Sequence, residues 1–403
     1  MRIASGLAVG SGGAADIPAL AADLIRQVRA TLTNDPIDLL MVFVAAALAP
    51  SFEGLIAALR QSLLPTGRGH ILAITAESII GADQEIERQP AASVLALSFK
   101  NADVHIHPFH LHEEDWPDAI GEEGALRQRL GSIDNARAFV LFADPFTTPV
   151  VQLLDAWSQQ FPEAPVIGGM ASGMRAAGDA RLALDDGVYS EGAVGLAISG
   201  DVEIDCVVSQ GCRPVGETLV ITRCKRNVIE ELDGKKALAA IEEMISGLPL
   251  HDRQLIATGG LMIGRVIDEG KGNFGRGDFL IRSLVGVRRD SGAILIGDMV
   301  RTGQTVQFHV RDARTAEQEM RLLLEGETIL ADPPAGALLI TCNARGTRLF
   351  EMRHHDISLT RQVLGAIPVA GFFAAGELGP VGERNFIHGH TAVLALFRPS
   401  AHP

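Results

Sequence analysis

Residues 39–76 read LLMVFVAAALAPSFEGLIAALRQSLLPTGRGHILAITA. Leu39 to Ala45 is a continuous apolar run, the pattern of a strand covered on both faces. Ser51 then stands as an N-cap before Phe52, Leu55, Ile56, Leu59 and Leu63, whose spacing of three and four predicts a helix with one buried face. A second apolar strand begins near Ile71 and runs into the small-residue loop Thr75-Ala76-Glu77-Ser78. The unit is strand, helix, strand.

The same order recurs twice. Ala138 to Phe142 leads through a helix around Leu153–Trp157 to Pro165-Val166-Ile167 and the loop Gly168-Gly169-Met170-Ala171-Ser172-Gly173. Ala337 to Cys342 leads through Leu359–Leu364 to Pro368-Val369-Ala370 and the loop Ala374-Ala375-Gly376-Glu377. Comparable loops are therefore expected in both halves of the chain.

Around these units the periodicity is equally plain. The N-terminal MRIASGLAVGSGGAAD is too short and glycine-broken for a signal peptide and reads as a buried strand and a loop. Asp16 caps a helix carrying Ile17, Leu20, Leu24, Val28 and Leu32. Thr315 and Gln318 form a capping-box pattern ahead of Ala316, Met320, Leu323 and Leu324. Thr305, Gln307, His309 and Arg311 alternate with Val306, Phe308 and Val310, as in a strand with one polar face. Hairpin turns are expected at Ser199-Gly200-Asp201 and Asp290-Ser291-Gly292. The class is α+β (mixed α/β), with two packed domains of β-sheets covered by α-helices. The break is placed where the Thr218–Thr222 strand meets Arg223-Cys224-Lys225-Arg226 and the Asp233-Gly234 turn, giving domains 1–224 and 225–403.

Composition narrows the function. The 403 residues carry 35 Lys and Arg against 49 Asp and Glu, a net charge of −14, with one Tyr and two Trp. Neither the charge nor the stacking surface suits nucleic acid. The longest apolar stretch, Leu39 to Ala49, is about half the ~20 residues of a bilayer-spanning helix, so no membrane partner is expected. Cys206, Cys212, Cys224 and Cys342 show no metal-ligand spacing and read as reduced thiols of a cytoplasmic protein.

The Walker pattern, HExxH and GxSxG are absent. Gly10-Ser11-Gly12-Gly13-Ala14-Ala15 imitates a dinucleotide turn, but no acidic residue ends the second strand to hold a ribose, so it reads as a plain turn. His105, His107, His110 and His112 read as a polar edge strand rather than a metal site, which needs three or four convergent ligands. His354 and His355 read as a surface loop before an Asp356 helix cap, although either is a candidate haem ligand.

The most distinctive stretches lie later in the chain. They are Val208-Ser209-Gln210-Gly211-Cys212-Arg213-Pro214-Val215-Gly216, the segment Gly303–Ala313, Gly336–Gly346, Gly371–Gly382, and Asn385-Phe386-Ile387-His388-Gly389-His390-Thr391. Together they resemble the FIST family (F-box and intracellular signal transduction proteins), over both its N-terminal and C-terminal domains. The resemblance implies a sensory module that binds a small ligand, with amino acids proposed, and a bacterial subset is associated with haem and nitric oxide. Family members often carry Cys where this chain has Ile74 and Ala374, so redox chemistry through those thiols is not expected. Asn343-Ala344 stands where a Gly commonly precedes the Arg.

The residues point to a binding site in the C-terminal part. Glu377 lies among Gly376, Gly379 and Pro380, where the backbone permits close approach. Arg311 and Arg345 can each grip a carboxylate, and Gln307, His309, Asn385 and His388 add polar groups. The competing reading is a buried structural ion pair between Glu377 and Arg345 or Arg311. Gln210, Cys212 and Arg213 read mainly as packing at a strand end. The expected function is a cytoplasmic sensor for a small polar ligand, an amino acid or related carboxylate, signalling to a partner protein. The alternative is a haem-binding gas sensor; no other cofactor is expected. An enzyme using Asp312, Glu377, His388 or Cys342, and a scaffold without a pocket, are further readings.

Overall fold

A computed structural model describes residues 1–13, 16–100, 102–121, 124–131, 133, 135–275 and 277–400. Ala14 and Ala15 of the glycine-rich turn lie outside this set. The three expected segments are present, and each closes a parallel strand pair: Leu39–Ala45 with His70–Ala76, Ala136–Ala143 with Val166–Met170, and Gly336–Cys342 with Val369–Ala374. The helices between them are Phe52–Leu63, Val150–Gln160 and His355–Leu364. The first strand of each pair is buried almost throughout, which is why its sequence shows no polar alternation.

The repetition extends further than the sequence suggested. Each parallel pair is followed by a hairpin: Ser78–Gly81 with Gln84–Glu87, Leu182–Leu184 with Gly187–Tyr189, and Glu377–Val381 with Arg384–His388. All three turn on two residues whose first has a left-handed backbone, at Ala82 (φ 54°), Asp185 (φ 52°) and Gly382 (φ 60°). A long strand then returns to its own repeat: Ala91–Ser98, Ala193–Gly200 or Thr391–Pro399.

No hairpin stays with its own repeat. The hairpin after the first pair joins the edge of Val369–Ala374, that after the second joins His70–Ala76, and that after the third joins Val166–Met170. Three six-stranded sheets result, all with the same order. The first runs Arg2–Val9, Ala91–Ser98, Leu39–Ala45, His70–Ala76 and then the second repeat's hairpin. Val104–Leu111 and Val202–Gln210 take the place of Arg2–Val9 in the other two. The inner faces of the three sheets share one core, in which Phe43, Phe142 and Phe372 pack ring against ring at 5.4–5.8 Å.

By internal contacts the chain forms two compact units. Unit 1 comprises Met1–Ser209, Arg321–Ile387 and Thr391–Pro403, and holds these sheets. Unit 2 comprises Gln210–Met320 and His388–His390. Its strands Cys212–Lys225, Thr305–Arg311, Leu261–Val266, Phe279–Arg288, Ala293–Ile296 and Val228–Leu232 are hydrogen-bonded in that order. The last pairs again with Cys212–Lys225 and closes a barrel. Val215, Ile221, Ile263, Phe308 and Val310 are in its core. Unit 2 thus interrupts the third repeat, from the end of the Val202–Gln210 strand to the first turns of the Ala313–Leu330 helix. The charged stretch near residue 225, where a domain break was expected, is a hairpin arm of this barrel: Arg223 reaches Glu230 and Glu231 across it.

Two local expectations need correction. Gly200 does turn the chain (φ 94°), but the strands on either side enter different sheets, so no hairpin forms there. The Ala313–Leu330 helix is capped by Asp312, whose Oδ1 accepts the Arg314 and Thr315 N–H groups at 3.1 and 3.4 Å, rather than by Thr315.

Candidate functional site

The three echoed loops meet inside unit 1. The Glu77 N–H donates to Ser172 Oγ at 2.8 Å, and that hydroxyl donates to the Phe373 carbonyl. Met170 N–H donates to the Gly376 carbonyl at 2.9 Å, and Ala375 N–H to the Met170 carbonyl at 3.2 Å. Beside this junction the Gly336–Cys342 strand ends, and the chain turns through Asn343, Ala344 and Arg345 toward the His355–Leu364 helix.

Arg345 is 1% exposed. Its Nε and Nη2 fork onto Asp356, donating to Oδ2 at 2.7 Å and Oδ1 at 2.8 Å. The Thr341 hydroxyl donates to the same Oδ2 at 2.7 Å, and His355 Nδ1 lies 3.0 Å from Oδ1. Burial alone would raise the Asp356 carboxyl, but the Arg345 guanidinium and His355 outweigh it and hold it well below the usual range. Asp356 is also in the first turn of its helix, where the helix dipole favours an anion. The His355 ring stacks on Phe350 at 3.4 Å, with Arg345 on that same ring at 5.2 Å. His355 is therefore buried, not on a surface loop, and His354 Nδ1 accepts the Glu85 N–H at 2.9 Å. Sequence reading missed Asp356 as Arg345's partner because an Asp before a helical stripe reads as a cap.

The exchanged Ser78–Gly81/Gln84–Glu87 hairpin supplies the other wall. Glu85 is buried, its Oε1 accepting the Ile357 N–H at 3.0 Å. Burial, with the Asp356 charge beside it, pushes its carboxyl up to about 8. Glu87 takes the Thr347 N–H at 2.9 Å, and Glu77 pairs with Arg348 at 2.7 and 3.0 Å. Gly346 sits at φ 58°, and a Cβ there would lie 2.8 Å from Glu87 Oε1, so only glycine fits this turn.

Glu377 opens the third hairpin and is fully buried. Its Oε2 accepts the Thr391 N–H at 3.3 Å, the Cys342 thiol hydrogen-bonds the carboxyl, and Oε1 has no hydrogen-bond partner among the described residues. Burial pushes this carboxyl up to about 8 despite the thiol and the nearby Arg345. Glu377 and Glu85 both sit within electrostatic reach of Arg345.

Of the seven expected site residues, Arg345, Glu377 and Asn385 belong to unit 1. Asn385 ties its hairpin to the second sheet: Oδ1 accepts the Val166 N–H at 2.8 Å, and its own N–H donates to Ser158 Oγ at 2.9 Å. Gln307, His309, Arg311 and His388 belong to unit 2. Gln307 Nε2 donates to the Gly216 carbonyl at 2.8 Å. His309 does not project into solvent from a polar face. Its ring packs 5.0 Å from Phe279 and over Gly264, where a Cβ would come within 2.5 Å of it, and burial lowers it to about 4. Arg311 is half-buried opposite Cys212, and His388 is buried. Gln210 Nε2 donates to the Phe279 carbonyl at 2.7 Å, while Arg213 forks onto Asp312 and Asp252.

Elsewhere, Val104–Leu111 is an edge strand that among the described residues pairs with Ala193–Gly200 alone. His105 and His107 are exposed on it, and the His110 ring lies 3.8 Å from His112 and 3.6 Å from Tyr189. Among the described residues, no group of three or more His, Cys, Asp or Glu is placed to hold a metal ion. No helix among them is long and apolar enough to cross a membrane.

Family comparison matches the FIST N domain over residues 38–235 and the FIST C domain over residues 237–380. The chain belongs to the FIST family. FIST domains are sensory domains of signal transduction. This FIST chain is similar to an uncharacterized protein of Mycobacterium tuberculosis, 36% identical over 400 residues, covering 97% of this chain and 99% of the relative. It is similar also to an uncharacterized protein of Mycobacterium bovis, 36% identical over 379 residues, covering 94% and 95%. The two family matches meet at residues 235–237, inside the inserted barrel; the FIST N segment contributes strands to all three sheets of unit 1 and the FIST C segment to two of them.

Proposed function

We propose that this FIST chain is a cytoplasmic sensor that binds a small polar metabolite, an amino acid or a related compound, at the buried cluster around Glu377 and Arg345, and passes the signal to a partner protein. The observation that carries the reading is Glu377: a fully buried carboxyl whose Oε1 has no hydrogen-bond partner among the described residues. Leaving a buried polar atom unsatisfied costs about 1–3 kcal/mol, and such sites persist where something else supplies the partner. Just before Glu377 in the chain, Ala375 is exposed, and Cys342, whose thiol hydrogen-bonds the carboxyl, is half-buried with Asn343 and Ala344.

The test is a thermal-shift screen of the full chain against amino acids, small carboxylates, small amines and haemin. A ligand that binds the folded state raises Tm in proportion to its concentration over Kd. A rise with a polar metabolite, weakened in Glu377→Gln, is the expected result. No rise with any polar compound removes the reading, and a Soret band with haemin would put the gas-sensor alternative in its place.

A further inference from the structure

We infer, independently of the ligand reading, that this protein associates with a second copy of itself through the outward face of the Ala313–Leu330 helix, as an antiparallel helix pair centred on Gly326. The second half of this helix, from Arg321 on, belongs to unit 1. There Leu322, Leu323, Ile329 and Leu330 are 63%, 40%, 82% and 83% exposed. They stand four and three residues before Gly326, and three and four after it. At 3.6 residues per turn all four lie within about 60° of the glycine around the helix. A Cβ on Gly326 would meet nothing within 4 Å, so the middle of the stripe is open.

The fold does not require this face. The Ile17–Leu32 helix holds the equivalent place in the first repeat, after the edge strand Arg2–Val9 and before Leu39–Ala45. Its exposed positions are Pro18, Ala19, Ala22, Arg26, Ala30 and Thr31, with no large aliphatic side chain. Each helix buries its own separate stripe, Leu20, Leu24 and Val28 in the first and Met320 and Leu324 in the other. The outward aliphatics are therefore additional to what packing uses, and contiguous apolar surface of this kind marks an interaction site.

The pattern is self-complementary. Leu322, Gly326 and Leu330 form a ridge of i±4 spacing, Leu323, Gly326 and Ile329 one of i±3 spacing, and the two cross at the glycine. A two-fold axis through Gly326 sets Leu322 of one copy against Leu330 of the other, and Leu323 against Ile329. That is what an isologous dimer needs, and a residue without a side chain at the crossing lets the helix axes approach closely. Antiparallel helices also place opposite dipole ends side by side. The four side chains leave roughly 200–300 Å² of apolar surface per copy, about a third of the ~800 Å² that each partner gives a stable complex. This is enough for the apolar centre of an interface, with the exposed Gln318 and Glu325 in its polar rim, and it fits a reversible dimer rather than an obligate one.

The test is sedimentation velocity of the full chain from about 2 to 200 µM. The 42.8 kDa monomer should give way to a species of twice that mass and to none larger. Leu322→Glu with Ile329→Glu should move the midpoint at least roughly tenfold to higher concentration, and Tm at low concentration reports that the variant folds. Gly326→Leu is the sharper arm. It enlarges the apolar face, so a merely adhesive patch would associate more, whereas a close crossing is blocked and the dimer should weaken roughly tenfold. Added salt should tighten the dimer, because it screens repulsion between copies that each carry a net charge of −14. A monomer throughout the range, growth beyond the dimer, a dimer that survives the two Glu changes or that salt loosens, or tighter association of Gly326→Leu each overturns the inference.

Discussion

Phe43 and Phe372 lie with ring centroids 5.5 Å apart and planes inclined by 19°, one from the segment matched as FIST N and the other from FIST C. Both are fully buried, and Phe142 stands edge-on to each. The two family segments therefore share a single core at the centre of unit 1.

Truncating that contact tests how much of the fold depends on it. Phe372→Ala should cost about 3–5 kcal/mol in urea unfolding, the range for removing a buried aromatic ring. Phe146, half exposed, provides the control: Phe146→Ala should stay within about 0.5 kcal/mol. Equal effects would mean the rings do not form a common core.

The repeated sheets also predict which glycines are irreplaceable. A Cβ on Gly371 would lie 1.7 Å from the Leu339 carbonyl oxygen, and one on Gly168 would lie 1.8 Å from that of Leu141. The paired strands must separate to admit it. Gly371→Ala and Gly168→Ala should each lose more than ~4 kcal/mol or fail to yield soluble protein. Gly54, exposed on a helix with nothing within 4 Å of its Cβ position, should instead gain about 0.5–1 kcal/mol as Ala. Melting curves of the three variants decide it.

Much of this architecture was readable from residue periodicity, because the three parallel pairs consist of unbroken apolar runs such as Leu39–Ala45. The exchange of hairpins was not. Strands as short as Leu182–Leu184 hold too few residues to specify a partner, and two of the three turns put Ala82 and Asp185, not glycine, at positive φ. The inserted barrel was hidden because no change in composition marks residues 210 or 320. In the proposed cluster, Glu377 and Arg345 stood out through their glycine-rich and strand-end settings. Asp356, Glu85 and the His355–Phe350 stack depend on elements distant in sequence and carried no local signal.

Arg345 and Asp356 form a buried ion pair, so removing one charge should cost more than removing both. Asp356→Asn strands a guanidinium that is 1% exposed, and a loss of about 3–5 kcal/mol is expected. The double change Arg345→Met with Asp356→Leu should cost clearly less than Asp356→Asn alone, since no buried charge remains. Chemical denaturation of the three variants measures this. A double variant worse than the single would show that the pair is worth more than its desolvation.

Glu85 and Glu377 should give the protein an unusual alkaline sensitivity. In the folded chain both carboxyls are pushed up to about 8, from an ordinary value of 4.5, mainly by burial. Below the ordinary value both are protonated whether the chain is folded or not, so they are neutral in the balance. As pH rises, the unfolded chain releases these protons first while the folded chain retains them, and the folded state loses stability. The loss accumulates from 4.5 up to about 8 and then levels off. The buried His309 and the half-buried His110 work in the opposite sense, because desolvation lowers both to about 4 and stability is lost as pH falls toward that value. The two glutamates can be isolated by comparison with Glu85→Gln/Glu377→Gln, which keeps shape and neutrality but cannot ionise. Relative to wild type, this variant should gain stability steadily between about pH 5 and pH 8 in urea unfolding, then hold a constant advantage. A difference that does not change with pH would mean that both glutamates already ionise at ordinary values in the fold.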